Sequence, residues 1–250
     1  MSLPTRRQGG SGSTEEDPPD VSDLTWQFDH TESREISYEN RRFECSQITS
    51  HSGAWLLAFG RSLDGGKCRI FAFRGLELVY TLPLERPTEA RIADDGTAIV
   101  VDSGDLESSG GRIVIVNSDG SQILTDSFTS NVHGTAITPD GAYAGVVTLH
   151  PDCSVYLYET KTGKRTVRHK VEHGRRNGIA FDDSGVRMYV IDDQKEKLLY
   201  AIDLDGEVVW RSTHVRSRIP RFNRAMDRLR EWIFAKLGRS RNNREPALDD

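Results

Sequence analysis

The sequence predicts an all-β fold, a β-propeller-like array of about four four-stranded blades, followed by a C-terminal amphipathic α-helix. Three observations support this prediction. Glycines recur with a period of about 44 residues, short apolar strands flank them, and the apolar pattern changes to helical spacing after Trp210. The chain has 250 residues, of which 36% are hydrophobic, so it is long enough to form a substantial core. It contains no run of about 18 apolar residues, so no membrane-spanning helix is predicted.

Two series of turn glycines define the repeat. The first recurs at intervals of 43 to 45 residues and comprises Gly53, Gly96, Gly141 and Gly185. The second has intervals of 43 to 45 residues and comprises Gly75, Gly120, Gly163 and Gly206. Glycine suits hairpin turns because it adopts positive φ without steric cost. Each repeat therefore contains four short strands joined by tight turns.

The middle strands of the repeats are apolar on both faces. Residues 113–116, for example, read Ile-Val-Ile-Val. A strand of this kind needs another layer on each face of its sheet, and repeats of 40 to 45 residues that cover one another are typical of propeller blades. The alternative all-β architecture is a large β-sandwich, which requires no repeat.

The fourth repeat carries a family resemblance. Residues 177–190 read Asn-Gly-Ile-Ala-Phe-Asp-Asp-Ser-Gly-Val-Arg-Met-Tyr-Val, and residues 199–206 continue the pattern. This stretch resembles a blade of the YVTN, NHL and WD40-like propeller superfamily, and the resemblance spans residues 43–214 at blade level. It implies a fold and little about function. The Gly-His and Trp-Asp pairs of strict WD40 repeats are absent from the sequence.

Four repeats raise the question of how the ring closes. Residues 23–42 include apolar stretches that supply extra strands, and one of these strands pairing with the last blade would close the ring. Otherwise the array is open, or a second chain completes it. An open array exposes a strand edge, which favours a dimer or another partner.

The regions outside the blades differ in charge and composition. We predict a disordered leader (residues 1–22), a propeller-like domain (23–214), a basic helix (215–238) and a disordered tail (239–250). Residues 215–244 contain nine Arg and one Lys against two acidic residues, whereas residues 1–214 contain 23 basic and 33 acidic residues. Three cysteines and no apolar segment after the N-terminal arginine pair predict a cytoplasmic protein, in part peripheral to a membrane.

The C-terminal segment has the spacing of an amphipathic helix. Its apolar stripe comprises Ile219, Phe222, Met226, Leu229, Ile233 and Leu237. Three uses of the helix stay open: packing on its own propeller, binding a protein partner or a second copy, and binding an anionic membrane surface. The candidate partner-binding residues are Arg221, Arg224, Arg228 and Trp232. The sequence does not favour nucleic acid as a partner, because no recognition motif accompanies the arginines and the body is acidic.

Equivalent positions in the repeats predict a ligand site. Residues eight before the first turn glycines are Cys45, Thr88, His133 and Asn177, and Glu89 follows Thr88. These residues are expected to begin the innermost strands and to surround one mouth of a central channel. The candidate ligand-binding residues are Thr88, Glu89, His133 and Asn177. Cys45 is also expected to be buried and structural, as is Cys68.

Asn177-Gly178 also resembles the Asn-Gly of SMP-30/gluconolactonase propellers. In that family the asparagine ligates a divalent metal, so the resemblance implies an alternative function as a metal-dependent hydrolase with Glu89 and His133 near the metal. The sequence otherwise contains no phosphate-binding loop, zinc-protease helix or nucleophile-elbow serine. We therefore predict no catalytic residue, no metal and no cofactor, and a non-enzymatic scaffold that binds a protein partner.

Overall fold

The computed structural model describes residues 33–104, 110–171, 177–192 and 197–212. The predicted leader, basic helix and tail lie outside these residues, as do Arg221, Arg224, Arg228 and Trp232. Within the described residues, no helix has the length and apolar character needed to cross a membrane.

The described residues form four antiparallel sheets, in each of which neighbouring strands follow one another along the chain. The first sheet contains β1 (Arg34–Tyr38), β2 (Arg41–Thr49), β3 (Trp55–Ser62), β4 (Cys68–Arg74) and β5 (Glu77–Leu84). The second contains β6 (Pro87–Ile92), β7 (Ala98–Asp102), β8 (Arg112–Val116) and β9 (Gln122–Ser127). The third contains β10 (Val132–Ile137), β11 (Tyr143–Thr148), β12 (Ser154–Glu159) and β13 (Lys164–Lys170). The fourth contains β14 (Asn177–Phe181), β15 (Arg187–Asp192), β16 (Lys197–Asp203) and β17 (Val208–Arg211).

The sheets pack face to face in chain order, as the repeat predicts. In β8, Val114 joins the core between the first and second sheets, whereas Ile113 and Ile115 join the core between the second and third. A third core lies between the third and fourth sheets and includes Leu157 and Val190. The structure is therefore a propeller-like array of four blades, not a sandwich of two sheets.

The two glycine series occupy equivalent places in successive blades. All eight turn glycines have positive φ, as the hairpin turns require. A Cβ atom added to Gly96 would lie 2.5 Å from the Trp55 ring of the preceding blade, and one added to Gly120 would lie 2.7 Å from Tyr80. At Gly53, in the first blade, nothing lies within 4 Å of the added atom. Glycine thus allows each turn to pack closely on the blade before it.

Hydrogen bonds connect the first turns of three consecutive blades. The amide and the hydroxyl of Ser52 both donate to Asp94 Oδ1, each at 2.7 Å. The amide of Asp94 in turn donates to the carbonyl of Pro139 at 2.9 Å. Burial alone would raise the pKa of Asp94, but the bonds from Ser52 outweigh it and lower the pKa. These bonds hold the three blades in one register at the end of the array that carries these turns.

Of the two stretches expected to supply extra strands, residues 35–38 form one that does not close the ring, whereas residues 24–28 lie outside the described residues. Residues 35–38 belong to β1, which pairs antiparallel with β2 of the first sheet. The prediction that a strand of residues 23–42 pairs with the last blade is therefore wrong for residues 35–38. The turn between β1 and β2 explains why these two strands pair. Glu39 and Asn40 have φ of 49° and 60°, as in a two-residue type I′ hairpin. Among the described strands, the first and fourth sheets share no interface like those between consecutive sheets.

The hairpin of β1 and the first half of β2, residues 34–45, bends across the free face of the first sheet. Although β1 and β4 are not neighbouring strands, the Tyr38 ring lies 5.6 Å from the Phe71 ring of β4, centroid to centroid. The Arg69 guanidinium lies over Tyr38 at 5.4 Å and 3.8 Å from Glu39. Phe71 is fully buried as a result. We call residues 34–45 the N-terminal hairpin.

The packing of the turn glycines leads to a test by two matched substitutions. Gly96→Ala and Gly53→Ala both place a side chain in the left-handed region, at a cost of about 1–2 kcal/mol. Gly96→Ala also forces a methyl group against Trp55, which adds about 1–3 kcal/mol of overpacking. Urea unfolding of the two variants is expected to show the larger loss for Gly96→Ala. Equal losses would contradict the close packing of successive blades.

Candidate functional site

A cleft lies among the inner strands of the second, third and fourth blades. Its volume is about 150 Å³, and Glu89, Arg91, His133 and Thr135 are among its lining residues. His51 reaches it from the turn between β2 and β3. The cleft therefore combines three carboxylates, one guanidinium, two imidazoles and two hydroxyls, a set that can form hydrogen bonds with a small polar group.

Side-chain size on the inner strands explains why the cleft opens. Glu89 and Arg91 lie two residues apart on β6, so their side chains are on the same face of the strand. The corresponding residues of β10 are Gly134 and Ala136. A Cβ atom added to Gly134 would lie 4.0 Å from the Cα atom of Gly178, so β10 and β14 approach closely. The larger charged pair on β6 leaves a cleft beside β10 instead.

Glu89 connects the second blade to the third. Its Oε1 atom accepts hydrogen bonds from the amide and the hydroxyl of Thr135, at 2.8 and 2.9 Å. Nη2 of Arg91 lies 3.4 Å from the same oxygen, and about a quarter of each charged side chain is exposed. The carboxylate thus has a cation and two donors beside it, and its contacts join two blades.

The predicted mouth residues begin inner strands in three blades. Thr88 and His133 are each the second residue of their strand, and Asn177 is the first of β14. Thr88 and His133 both lie at β-bulges, and bulges often redirect a side chain. Glu89 and His133 line the cleft. Thr88 is exposed and bonds to the Ser103 hydroxyl at 2.9 Å, whereas Asn177 is 4% exposed.

Cys45 does not belong to this mouth. It lies in the middle of β2 because the N-terminal half of that strand extends to pair with β1. Its side chain is fully buried with Phe43 and Phe71 on the face of the first sheet that points away from the second. Burial raises the pKa of Cys45 to about 11, so the thiol is unreactive at neutral pH. The prediction of a buried, structural cysteine is correct, but the predicted position at the mouth is wrong.

The alternative as a metal-dependent hydrolase requires a cluster of ligands at the mouth. In the described part of the chain, no three His, Cys, Asp or Glu side chains are grouped so that they could hold a metal ion. The acid proposed for such a site, Glu89, interacts with Arg91 and Thr135. A guanidinium beside a carboxylate competes electrostatically with a cation for the same oxygens. The geometry of the cleft does not favour this alternative.

Two further buried carboxylates connect strands and loops. Asp102 at the end of β7 is fully buried and accepts bonds from the Arg86 amide at 2.7 Å and from Arg112 Nε at 3.0 Å. Burial alone would raise the pKa of Asp102, but these bonds outweigh it and lower the pKa. Asp102 therefore holds the connection between the first and second blades against β7 and β8.

Asp152 has the same role in the third blade. It accepts hydrogen bonds from the hydroxyls of Tyr156 and Thr148, at 2.5 and 2.7 Å, and from Arg168 Nη2 at 2.8 Å. Burial alone would raise its pKa, but the donors outweigh burial and lower the pKa to about 2. The guanidinium of Arg168 also lies 5.8 Å from the centre of the Tyr156 ring. The loop between β11 and β12 is thus anchored by one ionised carboxylate.

Arg91 and Thr135 line the cleft but are absent from the sequence prediction. The signal for Arg91 was present, because opposite charges two residues apart on a strand lie on one face and interact. Thr135 carried no such signal. It contacts Glu89 from another blade, 46 residues away, and only the packing of β6 beside β10 brings the two together.

Comparisons with known proteins concern the fold alone. No protein-family model and no curated protein matches the chain. The β-propeller domain of Cps50 (Swd1) from Myceliophteria thermophila is similar, with a TM-score of 0.45 and 14% identity over 62% of this chain and 50% of that chain. Hsv2 from Kluyvelomyces marxianus has a TM-score of 0.48 and 10% identity over 66% of this chain and 48% of that chain. A functionally unknown protein from Desulfotomaculum acetoxidans has a TM-score of 0.45 and 14% identity over 69% of this chain and 62% of that chain.

The chain thus spans about half to three fifths of these structures. Its own four meanders confirm the blade-level resemblance to WD40- and NHL-like propellers that the fourth repeat indicates.

The lowered pKa of Asp152 predicts a loss of stability in acid. The folded-state pKa is about 2, below the ordinary value of 3.8, so the ionised carboxylate stabilises the fold above about pH 5, and this contribution is lost as pH falls towards 2. Asp152→Asn is expected to cost about 1–3 kcal/mol at pH 7 and much less at pH 2.5, where the wild type has also lost part of this contribution. Urea unfolding at both pH values measures the difference. A cost that does not change with pH would contradict an ionised Asp152 as the anchor.

Proposed function

We propose that this protein is a non-enzymatic β-propeller scaffold that binds a protein partner through its blade loops and a basic C-terminal helix. The observation that carries the non-enzymatic part is the position of Glu89. Its Oε1 atom accepts hydrogen bonds from the amide and the hydroxyl of Thr135 and lies beside Arg91, so this carboxylate of the cleft holds two blades together. Asp102 and Asp152 have equivalent structural uses.

The blade loops offer apolar contacts at one end of the array. The hairpin turns that carry the two glycine series all lie at the same end, because each sheet is an antiparallel meander. Leu76, beside Gly75, is fully exposed at the tip of such a turn, and Val186, beside Gly185, is 52% exposed. Exposed apolar side chains on rigid turns can anchor a partner surface, since little conformational entropy is lost on binding. We call this the turn end.

The basic segment supplies the second part of the proposed surface. Residues 215–244 have a large excess of arginine, and arginine binds carboxylates and phosphates in a bidentate manner. Arg221, Arg224, Arg228 and Trp232 are the residues we assign to partner binding. Trp and Arg are both enriched among residues that dominate interface energies. We therefore propose an acidic protein surface as the partner, in preference to nucleic acid.

The proposed compartment is the cytoplasm. Cys45, Cys68 and Cys153 are free thiols, and free thiols persist in reducing compartments. A position at the membrane surface is a second outcome to test, because basic segments with Trp and Phe also bind anionic headgroups.

Charge reversal tests the proposed binding surface. A partner captured by cross-linking to the full chain is purified, and its dissociation constant is measured by calorimetry. Arg221→Glu, Arg224→Glu and Arg228→Glu together are expected to weaken binding by about tenfold or more, and Leu76→Ser to weaken it by a smaller factor.

The matched control is Lys170→Glu, a charge reversal on an exposed residue at the last position of β13, which is the opposite end of the array. It is expected to change the dissociation constant by less than about twofold. Equal affinity for all variants would refute the proposed surface. Binding of the wild type to phosphatidylserine vesicles, with no protein bound, would identify a membrane as the partner instead.

A metal titration tests the non-enzymatic part. We expect Ca²⁺, Zn²⁺ and Mn²⁺ to leave the melting temperature of the full chain unchanged within about 1 °C, since a bound ion would raise it by mass action. Metal analysis of protein purified without chelator complements the melts. A large rise in melting temperature that Asn177→Ala abolishes would favour the hydrolase alternative over the scaffold.

A further inference from the structure

The fourth sheet has an apolar face that points away from the third. It is formed by Ala180, Tyr189, Ile191, Leu198 and Ala201, with Trp210 packed against them. Their neighbours along the strands, such as Met188 and Val190, point the other way, into the core shared with the third sheet. We call this face the terminal face.

The terminal face is buried although no described sheet packs on it. Ile191 has no exposed surface, and Tyr189 and Leu198 are 3% and 6% exposed. In the first three blades, the corresponding face receives the next blade. There, Tyr80 lies against Gly120 and Val167 against Gly206 of the blade that follows. Trp210 stands at the corresponding place on the outer strand of the fourth blade, where the described residues supply no fifth blade.

The first blade, at the other end of the series of sheets, shows how a free face is covered in this protein. There the N-terminal hairpin bends over the first sheet and buries Phe71, while its outward residues are charged or polar. A segment next to the end blade in the chain thus covers that blade. Terminal covers with a polar outer surface are a general need of repeat architectures, because an uncovered end blade would expose its apolar face.

We propose that the apolar stripe of the C-terminal segment, from Ile219 to Leu237, covers the terminal face. The chain leaves the fourth sheet at Arg211, and eight residues in extended form span at most about 28 Å. A four-stranded sheet is only about 15 Å wide, so the stripe begins within reach of its whole width. A helix of residues 215–238 would be about 36 Å long, enough to cross the sheet.

Charge complementarity supports the same occupant. The described residues of the fourth blade, 177–192 and 197–212, include six acidic residues against three basic ones. Asp183, Asp205 and Glu207 are exposed at the turn end of this blade. The C-terminal segment is strongly basic, so the two surfaces attract each other. With the stripe on the sheet, the arginines off the stripe stay free for a partner, and the packing can be tested separately from partner binding.

A double-mutant cycle on the full chain tests the contact. Leu229→Ala is expected to lower the melting temperature by about 5 °C or more, as the loss of a buried leucine side chain does. In the background of Leu198→Ala, the same substitution is expected to cost less than about half as much, because the two side chains contact one surface. In the background of Ile70→Ala, in the core between the first and second sheets, the full cost is expected to remain.

Solvent labelling gives a second readout of the same contact in variants that remain folded. Hydroxyl-radical labelling of Tyr189 and Trp210 is expected to rise at least about threefold in Leu229→Asp, Ile233→Asp protein and to stay at the wild-type level in the matched control Arg224→Asp. Equal coupling in both backgrounds, or labelling that does not change, would overturn the proposal. If Trp26→Ala, a substitution in the segment before β1, coupled to Leu198→Ala instead, the face would be assigned to the N-terminal segment. A dimer in sedimentation whose melting temperature rises with concentration would assign it to a second copy.

Discussion

Each blade of this protein is a small sheet that is apolar on both faces, and this property dictates how the chain is assembled. Val114 and Ile115, adjacent in β8, belong to two different cores. A sheet of this kind is stable only when another layer lies on each side of it, since apolar burial provides most of the stabilisation. Internal blades provide that layer for one another. The turn glycines make the packing close enough, because a side chain at Gly96 would overlap Trp55.

The same property explains the distribution of charged residues. Carboxylates that enter the blades, such as Glu89, Asp102 and Asp152, have several donors each, which offset the cost of burying a charge. In each case the donors come from another strand, loop or blade. These charged groups therefore fix the positions of neighbouring strands, loops and blades relative to one another, which apolar packing alone would not do. The cleft lies where Glu89 and Arg91 of β6 face β10, whereas glycine and alanine at the equivalent positions of β10 allow β14 to approach closely.

The repeat and its turns could be predicted from the sequence because they depend on local properties. Positive φ at a hairpin turn and a run of β-branched residues are visible in single segments, and the two glycine series place them in one register. The pairing of β1 could not be predicted in this way, since several strand edges were equally compatible with residues 35–38. Its outcome depends on a turn of Glu39 and Asn40, which lacks the glycine that marks the other turns.

For the candidate site too, the sequence predicted what depends on the repeat and missed what depends on packing between blades. The offset from the turn glycines predicted the strand starts at Thr88, His133 and Asn177, because equivalent repeats share their geometry. It failed for Cys45, whose strand is longer than the others and pairs with an extra neighbour. It also omitted Thr135, because which blade a side chain meets depends on how the inner strands pack. Sequence spacing locates a position in a blade, whereas contacts between blades follow from the assembled array.

The N-terminal hairpin gives the array a direction. Its outward residues are charged or polar, with Arg42 paired to Glu35 and Asp64, so this end offers little apolar surface to another copy. Repeat proteins whose two ends fit each other can polymerise head to tail into open fibres. A chain with one polar, ion-paired end cannot propagate such a series. The first blade therefore acts as a stop for the growth of such a series.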